Sequence, residues 1–370
     1  MSRKIWMITL VPIFVLLLGT GAALAAMREP PSPDAAPIPA VQTGGQADAG
    51  AIRARPAITY NTIITINTTV DTYNEYTNRT CYYDSSIEDG TGTYYPATDG
   101  KCNLRRALVE ASHRKARHRP ILIKFNIPTT DTHYNAISGT WTIVMDGDYS
   151  SSAGGEAIVQ GVLDNPKVAD SYITIDGDTQ PGGRTNGYPK IIINSADSFD
   201  LVDVNYNTIR NLAFNGGGGI FINGIIQGGD GNHNTVENVW VGLNADGTEI
   251  VPGSNPNVSL AGGGIDIKGG DYNTISGTTV TGSNIGIRLQ TNSAHNTLMY
   301  NQLGTRADGT VPGSRLFCDA PAPVYDPTEW YGGWGFQILS GSFNQVMSNT
   351  IAGIHTPHSG SEIFPPGIWT

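Results

Sequence analysis

The stretch Gly264-Ile265-Asp266-Ile267-Lys268 decides the fold, because its pattern returns along the C-terminal half of the chain. Each copy is a glycine followed by apolar residues that alternate with a variable position, which is the period-two signature of a short strand. The other copies are Gly219-Ile220-Phe221-Ile222-Asn223, Gly286-Ile287-Arg288-Leu289-Gln290 and Gly335-Phe336-Gln337-Ile338-Leu339. Ile265 and Ile287 lie 22 residues apart.

A second strand motif, which begins with asparagine, runs alongside the first. Its copies are Asn207-Thr208-Ile209, Asn234-Thr235-Val236, Asn273-Thr274-Ile275, Asn296-Thr297-Leu298 and Asn344-Gln345-Val346. Asn273 and Asn296 are 23 residues apart, in agreement with the first repeat. Neither motif has a 3.6-residue period, so a helical repeat is excluded. The sequence therefore predicts a coil of stacked parallel strands, with isoleucines inside and asparagines laddered at the turns.

Composition agrees with an all-β chain. Glycine accounts for 46 of the 370 residues and charged residues for only 15%, whereas long helices are rich in charged helix formers. The net charge is −10, which argues against a nucleic-acid partner. It also disfavours a polyanionic sugar unless a local basic face or bound cations reverse the field.

The N-terminal region predicts export. Residues 1–25 contain a basic start, an apolar run of 14 residues and a small-residue cleavage site at Ala23-Leu24-Ala25, the pattern of a secretory signal. The run is too short for a spanning helix, although failed cleavage would leave a membrane tether. Removal of the signal makes the net charge −12. Residues 26–56 are rich in Pro and Ala and predict an extended linker.

One amphipathic helix is predicted over about Leu104 to Arg117, with Pro120 after its end. Because an open stack of strands exposes an apolar end, we expect this helix to cap the first rung. Cys81 and Cys102 are predicted either to pair across a 20-residue loop or to remain free thiols. Cys318 is then left over.

Several of these residues resemble the CSLREA domain of bacterial surface proteins. The likeness lies in Cys81, in Asp99-Gly100-Lys101-Cys102-Asn103-Leu104-Arg105-Arg106-Ala107 and in the segment Ile173 to Gly182. Asn103 stands where the family has serine and Arg106 where it has glutamate. The resemblance implies a right-handed parallel β-helix of the pectate-lyase type, with a cap over residues 57–135 and the coil over 136–370. It also implies a surface location, and it supplies no catalytic residue.

Aligned rungs predict two outward columns on one face of the coil. The first contains Phe221, Asp266, Arg288 and Gln337, and the second contains Asn223, Lys268 and Gln290. Asp266, Lys268 and Arg288 are the residue types that a polysaccharide lyase uses to abstract a proton beside a uronate carboxylate. The alternative is a surface ion-pair ladder without catalytic role.

Aromatic residues in the insertion between Arg315 and Gly335 are candidates for sugar binding, together with polar residues of the columns. These substrate-binding candidates are Gln290, Gln337, Tyr325, Trp330, Tyr331 and Trp334. The alternative for the rings is packing of the insertion onto the coil. Two loops of shared sequence, Gly242 to Ser254 and Gly304 to Ser314, should leave the coil at one corner and form a wall.

Metal and hydrolase signatures are weak. Gly228-Gly229-Asp230-Gly231-Asn232-His233 resembles one calcium-binding repeat, but such sites need stacked copies, so we expect a turn there, with calcium binding as the alternative. The histidines show no metal-ligand spacing and no paired carboxylates share a face, so apart from that calcium alternative we expect no cofactor.

The resulting hypothesis is a secreted or surface-displayed β-helix with a non-catalytic role in adhesion, glycan contact or envelope structure. The alternative is a polysaccharide lyase. Gly367-Ile368-Trp369-Thr370 repeats the opening of a rung, so we expect either that the natural product continues or that residues 363–369 fold back as a cap.

Overall fold

The structure is a computed structural model, and it describes residues 58–71, 79–82, 95–96, 98–145, 159–160, 171–195, 198–215, 219–225, 230–249, 251, 264–283, 285–310, 334–352 and 368–369. Within them lie helix α1 (Leu104–His113) and two short 3₁₀ turns, Ala116–His118 and Gly177–Thr179. In chain order the strands are β1 (Thr62–Ile66), β2 (Val70–Asp71), β3 (Arg79–Thr80), β4 (Tyr95–Pro96), β5 (Ile121–Phe125), β6 (Tyr134–Asn135), β7 (Thr140–Met145), β8 (Val159–Gln160), β9 (Ile173–Asp176), β10 (Ile191–Ser195), β11 (Phe199–Val202), β12 (Thr208–Arg210), β13 (Leu212–Asn215), β14 (Ile220–Asn223), β15 (Thr235–Glu237), β16 (Trp240–Val241), β17 (Ile265–Lys268), β18 (Thr274–Ser276), β19 (Thr279–Val280), β20 (Ile285–Gln290), β21 (Thr297–Met299), β22 (Gln302–Leu303), β23 (Trp334–Ile338), β24 (Gln345–Met347), β25 (Thr350–Ile351) and β26 (Ile368–Trp369).

Of these strands, 23 form three parallel sheets, which the chain visits in turn, while β3 pairs with β4 in a small sheet of their own and β6 pairs antiparallel with β7. Sheet 1 has the order β1-β5-β9-β12-β15-β18-β21-β24, sheet 2 the order β2-β7-β10-β13-β16-β19-β22-β25, and sheet 3 the order β8-β11-β14-β17-β20-β23-β26. From β9 onward each rung contributes one strand to each sheet in that sequence. The prediction of a parallel β-helix is confirmed. The coil begins at β1, within the segment that the resemblance assigns to the cap.

Each rung contains a third strand that the repeat analysis did not find. The Gly-Ile motif forms sheet 3 and the Asn-Thr-Ile motif forms sheet 1, but sheet 2 in the later rungs consists of strands only two residues long. A two-residue strand has no recognisable alternation, so no periodic signal marks it.

Two of the glycines that open the Gly-Ile motif of sheet 3, Gly264 and Gly286, are required by close stacking of the rungs. A Cβ on Gly264 would lie 2.1 Å from the carbonyl oxygens of Ile285 and Gly286 in the next rung. A Cβ on Gly286 would lie 2.6 Å from the carbonyl oxygen of Gly335. Any side chain there would push adjacent rungs apart, which explains why the motif recurs with glycine first.

Inside the coil, the predicted inward residues form one continuous apolar core. Ile265, Ile267, Ile287 and Leu289 are at most 1% exposed and belong to the same cluster as Ile64 of the first rung. Burying an isoleucine or leucine side chain contributes about 1.5 to 3 kcal/mol, so stacked apolar columns supply the main driving force for the coil.

Buried asparagines connect the rungs at the entry to sheet 1. Asn207 N–H donates to Asn234 Oδ1 at 3.0 Å, Asn234 N–H to Asn273 Oδ1 at 2.7 Å and Asn273 N–H to Asn296 Oδ1 at 2.8 Å. These four side chains are at most 2% exposed. The asparagines form a ladder as predicted, although these three bonds run from a backbone N–H to a side-chain oxygen, whereas the prediction was of bonds from side chain to side chain. The ladder satisfies backbone donors that turns leave unpaired.

Helix α1 packs its apolar face, formed by Leu104, Ala107, Leu108 and Ala111, into the core beside the first rung. It ends at His113, earlier than predicted, and a 3₁₀ turn follows. Asn103 caps its start, since Asn103 Oδ1 accepts from Arg106 N–H at 2.9 Å. Asparagine and serine are equally good N-caps, so the departure from the family at this position is conservative.

Several arginines between Lys101 and Arg119 bind other groups of the cap. Arg106 is 5% exposed and forms a 2.8 Å ion pair with Asp99, so its pairing lies upstream of the helix. Arg119 is 7% exposed and donates to the carbonyl oxygen of Ala111 at 2.7 Å. Arg114 pairs with the buried Glu110, and Tyr82 N–H donates to the same carboxylate at 2.7 Å. These contacts hold the cap together.

Cys81 and Cys102 form a disulfide, which resolves the two alternatives in favour of the pair. Replacing both with alanine should destabilise the protein by about 3 kcal/mol, because the bond closes a loop of 21 residues in the unfolded chain. Urea unfolding of both proteins, with and without reductant, checks this. Reductant should lower the midpoint of the wild type only; an equal effect on the double variant would contradict the assignment.

The asparagine ladder generates a second prediction. Asn234→Ala should cost about 2 to 4 kcal/mol, because it leaves the Asn207 N–H and the Val204 carbonyl oxygen buried without the side chain that bonds them. Gln345→Ala, at an exposed position of sheet 1, is the control and should change the unfolding free energy by less than about 0.5 kcal/mol. Equal effects in chemical denaturation would show that the ladder does not stabilise the stack.

Candidate functional site

The register of sheet 3 places the predicted column residues as expected. Phe221 pairs with Asp266, Asp266 with Arg288, and Arg288 with Gln337. The second column is also confirmed in register, since Asn223 pairs with Lys268 and Lys268 with Gln290. One residue departs from the prediction. Asn223 is only 2% exposed, and its Oδ1 accepts from Ile225 N–H at 3.2 Å, so it serves the turn that follows the strand.

Asp266, Arg288 and Gln290 form one hydrogen-bonded group. Arg288 Nε donates to Asp266 Oδ2 at 3.0 Å, and its Nη2 forms a second contact with the same oxygen. Gln290 Nε2 lies 3.0 Å from Asp266 Oδ1 and 2.8 Å from Oδ2. Both carboxylate oxygens are therefore engaged by neighbours, and the guanidinium is bound to the group whose charge it neutralises. Lys268 lies half-buried beside Gln290. This is the geometry of an ion-pair ladder along the strands.

The remaining predicted substrate-binding residues are distributed as follows. Gln337 continues the first column, half-buried beside Arg288. Trp334 begins β23. Tyr325, Trp330 and Tyr331 lie outside the described residues. Convergence of the insertion rings with the column therefore stays a prediction.

The two homologous loops contact each other, as predicted for a wall. Ala307 N–H donates to the carbonyl oxygen of Gly247 at 3.0 Å, and Arg306 Nε donates to that of Thr248 at 2.6 Å. A Cβ on Gly247 would lie 2.4 Å from the Ala307 Cβ and 2.8 Å from the Trp240 ring. The loops thus fold over the outer side of sheet 2 and cover Trp240, which is 4% exposed.

A half-buried arginine fastens this wall to the preceding rung, and the sequence analysis did not find it. Arg184 lies over the rings of Tyr188 and Trp240, with its Cζ at 5.6 and 5.4 Å from their centroids, and the two rings contact each other edge to face. Its guanidinium donates to the carbonyl oxygens of Pro189 and Ala245. Burial lowers the pKa of Arg184 to about 10, against the opposing effect of Asp246 and Tyr188. The guanidinium is thus held by two carbonyl oxygens and by cation–π contacts with two aromatic rings.

A second unexpected feature is a continuous stack of six rings on the outside of the coil, which we call the ring column. Its members are Tyr172, Tyr206, His233, Tyr272, His295 and Phe343. Successive centroids are 4.7 to 5.1 Å apart and successive planes lie within 13° of parallel. Each of the last five residues directly precedes the asparagine of a sheet 1 motif. This position directly before the asparagine is the sequence signal from which the ring column could have been predicted.

Polar columns flank the ring column on both sides. On one side Thr208, Thr235, Thr274 and Thr297 are aligned in register and half-buried on the outer face of sheet 1. On the other side, Ser171, Asn205, Asn232 and Asp271 each use a side-chain oxygen to bind a backbone N–H of an adjacent rung, at 2.6 to 3.1 Å. Asn232, which lies in the segment that resembles a calcium-binding repeat, thus belongs to a hydrogen-bonded ladder.

A polar cluster near the cap involves Asp131, Thr69 and His133. Thr69 Oγ1 donates to Asp131 Oδ1 and lies 3.0 Å from His133 Nδ1. Asp131 Oδ2 accepts from Thr68 Oγ1 at 3.1 Å and from Thr69 N–H at 3.2 Å. Thr69 is 0% exposed, so its hydroxyl is inaccessible to a substrate. Although a hydroxyl, an imidazole and a carboxylate meet here, the cluster serves to hold the loop around Asp131 against the first rung.

An open cavity of about 420 Å³ lies beside this cluster, with Thr68, Lys101, Thr130 and Asp131 among its lining residues. Within the described ranges, no group of three or more His, Cys, Asp or Glu side chains is arranged to hold a metal ion. Over the same ranges, no helix is long and apolar enough to cross a bilayer.

Comparison with protein-family models, with curated proteins and with solved structures finds no match for this chain. The likeness to CSLREA-domain proteins therefore stays a prediction from the residues that carry it.

The cluster predicts a pH dependence. Burial tends to raise the pKa of Asp131, but hydrogen bonds from Thr69, His133 and Thr68 outweigh it and lower the pKa. A lowered pKa stabilises the fold above the unfolded value of about 4, and this stability is lost as the pH falls toward the folded value. Asp131→Asn should therefore unfold more readily at pH 7 and lose less stability between pH 5 and pH 3 than the wild type.

Thermal unfolding across this pH range measures both effects. Asp230→Asn, at an exposed carboxylate, is the control and should follow the wild-type curve. Parallel curves for wild type and Asp131→Asn would show that this carboxylate does not contribute to acid sensitivity.

Proposed function

We propose that the protein is a secreted or cell-surface β-helix whose role is non-catalytic contact with glycans of the cell envelope or its surroundings. The observation that carries the proposal is the state of Asp266. Its two oxygens bind Arg288 and Gln290, so two of the three residues with the chemistry of a lyase, Asp266 and Arg288, are joined in a ladder. A guanidinium has no lone pair with which to take a proton, and Arg288 donates here to a carboxylate of the protein itself.

Export is supported by two further features of the chain. The segment 1–25 has the order of charges and apolar residues of a secretory signal. The Cys81–Cys102 disulfide fits an oxidising compartment, where such bonds persist. The resemblance to CSLREA-domain surface proteins agrees with this location.

The repetitive exterior supports contact rather than catalysis. The threonine column on the outside of sheet 1 presents the same polar group rung after rung, whereas catalytic sites gather different groups in a concave pocket. A coil with groups repeated from rung to rung suits a ligand that is itself extended.

A glycan-array screen of the purified protein tests the proposal, with absorbance of unsaturated products read for every glycan that binds. We expect binding without product, and we expect Lys268→Ala and Arg288→Ala to retain it, because neither residue acts on a scissile bond. Product that disappears in either variant would establish the lyase instead. The absence of both binding and product would leave an envelope structural module.

A further inference from the structure

We propose that the ring column and the threonine column beside it form the contact surface for a linear, neutral polysaccharide that lies along the coil. This inference rests on the proposed glycan-binding role and assigns it a place and a ligand class. The evidence comes from backbone conformation, from the repetition of the surface and from its charge.

The backbone at the ring column is unusual for aromatic residues. All six members have left-handed φ values, between 56° and 63°, a conformation that favours glycine and asparagine and is costly for bulky side chains. Five residues at the corner after sheet 1 have the same left-handed conformation, and there Asn211, Asn238 and Gly277 take the favoured types, with one ring, Tyr300, and one serine, Ser348. The fold therefore does not demand rings at such a corner, and six in succession call for another reason.

Stacking explains part of this choice, since each parallel pair contributes about 0.5 to 1.5 kcal/mol. It does not explain the polar rims that face solvent. Tyr206 is 46% exposed, Tyr272 is 50% exposed, and His233 and His295 are also exposed. Because each face is covered by its neighbours, the exposed parts are the ring edges with their hydroxyl and imidazole nitrogen atoms. The first five members, Tyr172 to His295, thus form a row of hydrogen-bonding groups, and Phe343 ends the column without one.

The repetition of groups along the surface favours a polymer as the ligand. The ring column presents an equivalent group at intervals of 4.7 to 5.1 Å over five steps, and the threonine column follows the same rungs. A ligand that repeats along its own axis can make equivalent contacts at successive rungs, whereas a compact ligand uses only one or two of them. Contacts in series then add to one another within a single binding event.

The scarcity of charged residues on the surface favours an uncharged polymer as the ligand. Among the described residues of the ring column and its flanking columns there is no Lys or Arg, and Asp271 is the one carboxylate. Such a strip cannot neutralise a uronate or sulfate chain. Sugar hydroxyls and ring oxygens suit it, because phenol, imidazole and threonine groups offer hydrogen bonds and the rims of aromatic rings carry partial positive charge.

The test measures binding of the full-length protein to neutral hexasaccharides of linear glucose, xylose, mannose and N-acetylglucosamine polymers, with a hexamer of galacturonate as the anionic probe. We expect at least one neutral hexamer to bind, and its disaccharide to bind at least about tenfold more weakly, because fewer rungs are engaged. Tighter binding of the galacturonate hexamer than of every neutral hexamer would overturn the assigned ligand class.

Variants then test the location. Tyr272→Asn keeps a residue suited to the left-handed backbone and removes the ring, and we expect the affinity to fall at least about tenfold. Tyr272→Phe keeps the stack and removes the hydroxyl, and should lower the affinity about two- to tenfold with an unchanged unfolding temperature. The matched control is Tyr300→Asn, which removes a ring of equal exposure (48%) and equal φ (58°) outside the column and should leave the affinity unchanged.

The outcomes separate this inference from the proposed function. If a hexamer binds the wild type, the two Tyr272 variants and Tyr300→Asn with equal affinity, the ring column is not the contact surface. The proposed glycan-binding role would still stand. Loss of binding only in Trp330→Ala and Trp334→Ala would place the contact on the insertion instead. A wild type that binds no glycan of either charge would overturn both proposals.

Discussion

The structure depends on one constraint, which is that each rung must lie directly on the next with its strands in register. Backbone hydrogen bonds between parallel strands, buried asparagine ladders and the glycines that open sheet 3 all act at this contact. Any insertion must therefore leave the coil at a corner. The two wall loops do so, and Arg184 with its aromatic neighbours fastens them to sheet 2. Register also gives the exterior its character, because a residue that recurs once per rung becomes a straight column on the surface.

Much of this could be predicted from the sequence. The 22- to 23-residue repeat identified the coil, and alternation placed Asp266, Arg288 and Gln337 in one column, because a residue's face in a strand follows from its position parity. Burial of Asn223 could not be predicted, since the turn that covers it lies outside the strand pattern. The two-residue strands of sheet 2 carry no period. The ring column contains Tyr, His and Phe, so a search for one repeated residue type misses it, although a ring recurs at the same position of each rung that it spans.

The arrangement of charges relates the fold to the proposed role. Several charged groups are paired within the protein: Asp266 with Arg288, Asp176 with Arg210 and Arg106 with Asp99. Pairs of this kind along stacked strands strengthen the register and leave little net field on the faces they occupy. The half-exposed surface beside them consists of hydroxyl, amide and ring groups. A surface of this composition suits the proposed role of binding through many weak, similar contacts, whereas an enzyme concentrates different groups at one point.

The register itself is the central claim, and engineered disulfides test it most directly. Thr208 and Thr235 are neighbours across sheet 1, and parallel partners about 5 Å apart suit a disulfide, whereas Thr208 and Thr274 are separated by an intervening strand. In a Cys318→Ser background, the Thr208→Cys/Thr235→Cys protein should form an intramolecular bond under mild oxidation, read by mass spectrometry of non-reduced peptides. The Thr208→Cys/Thr274→Cys protein should not. Bonding in the second protein, or its failure in the first, would contradict the stacking order from which every column follows.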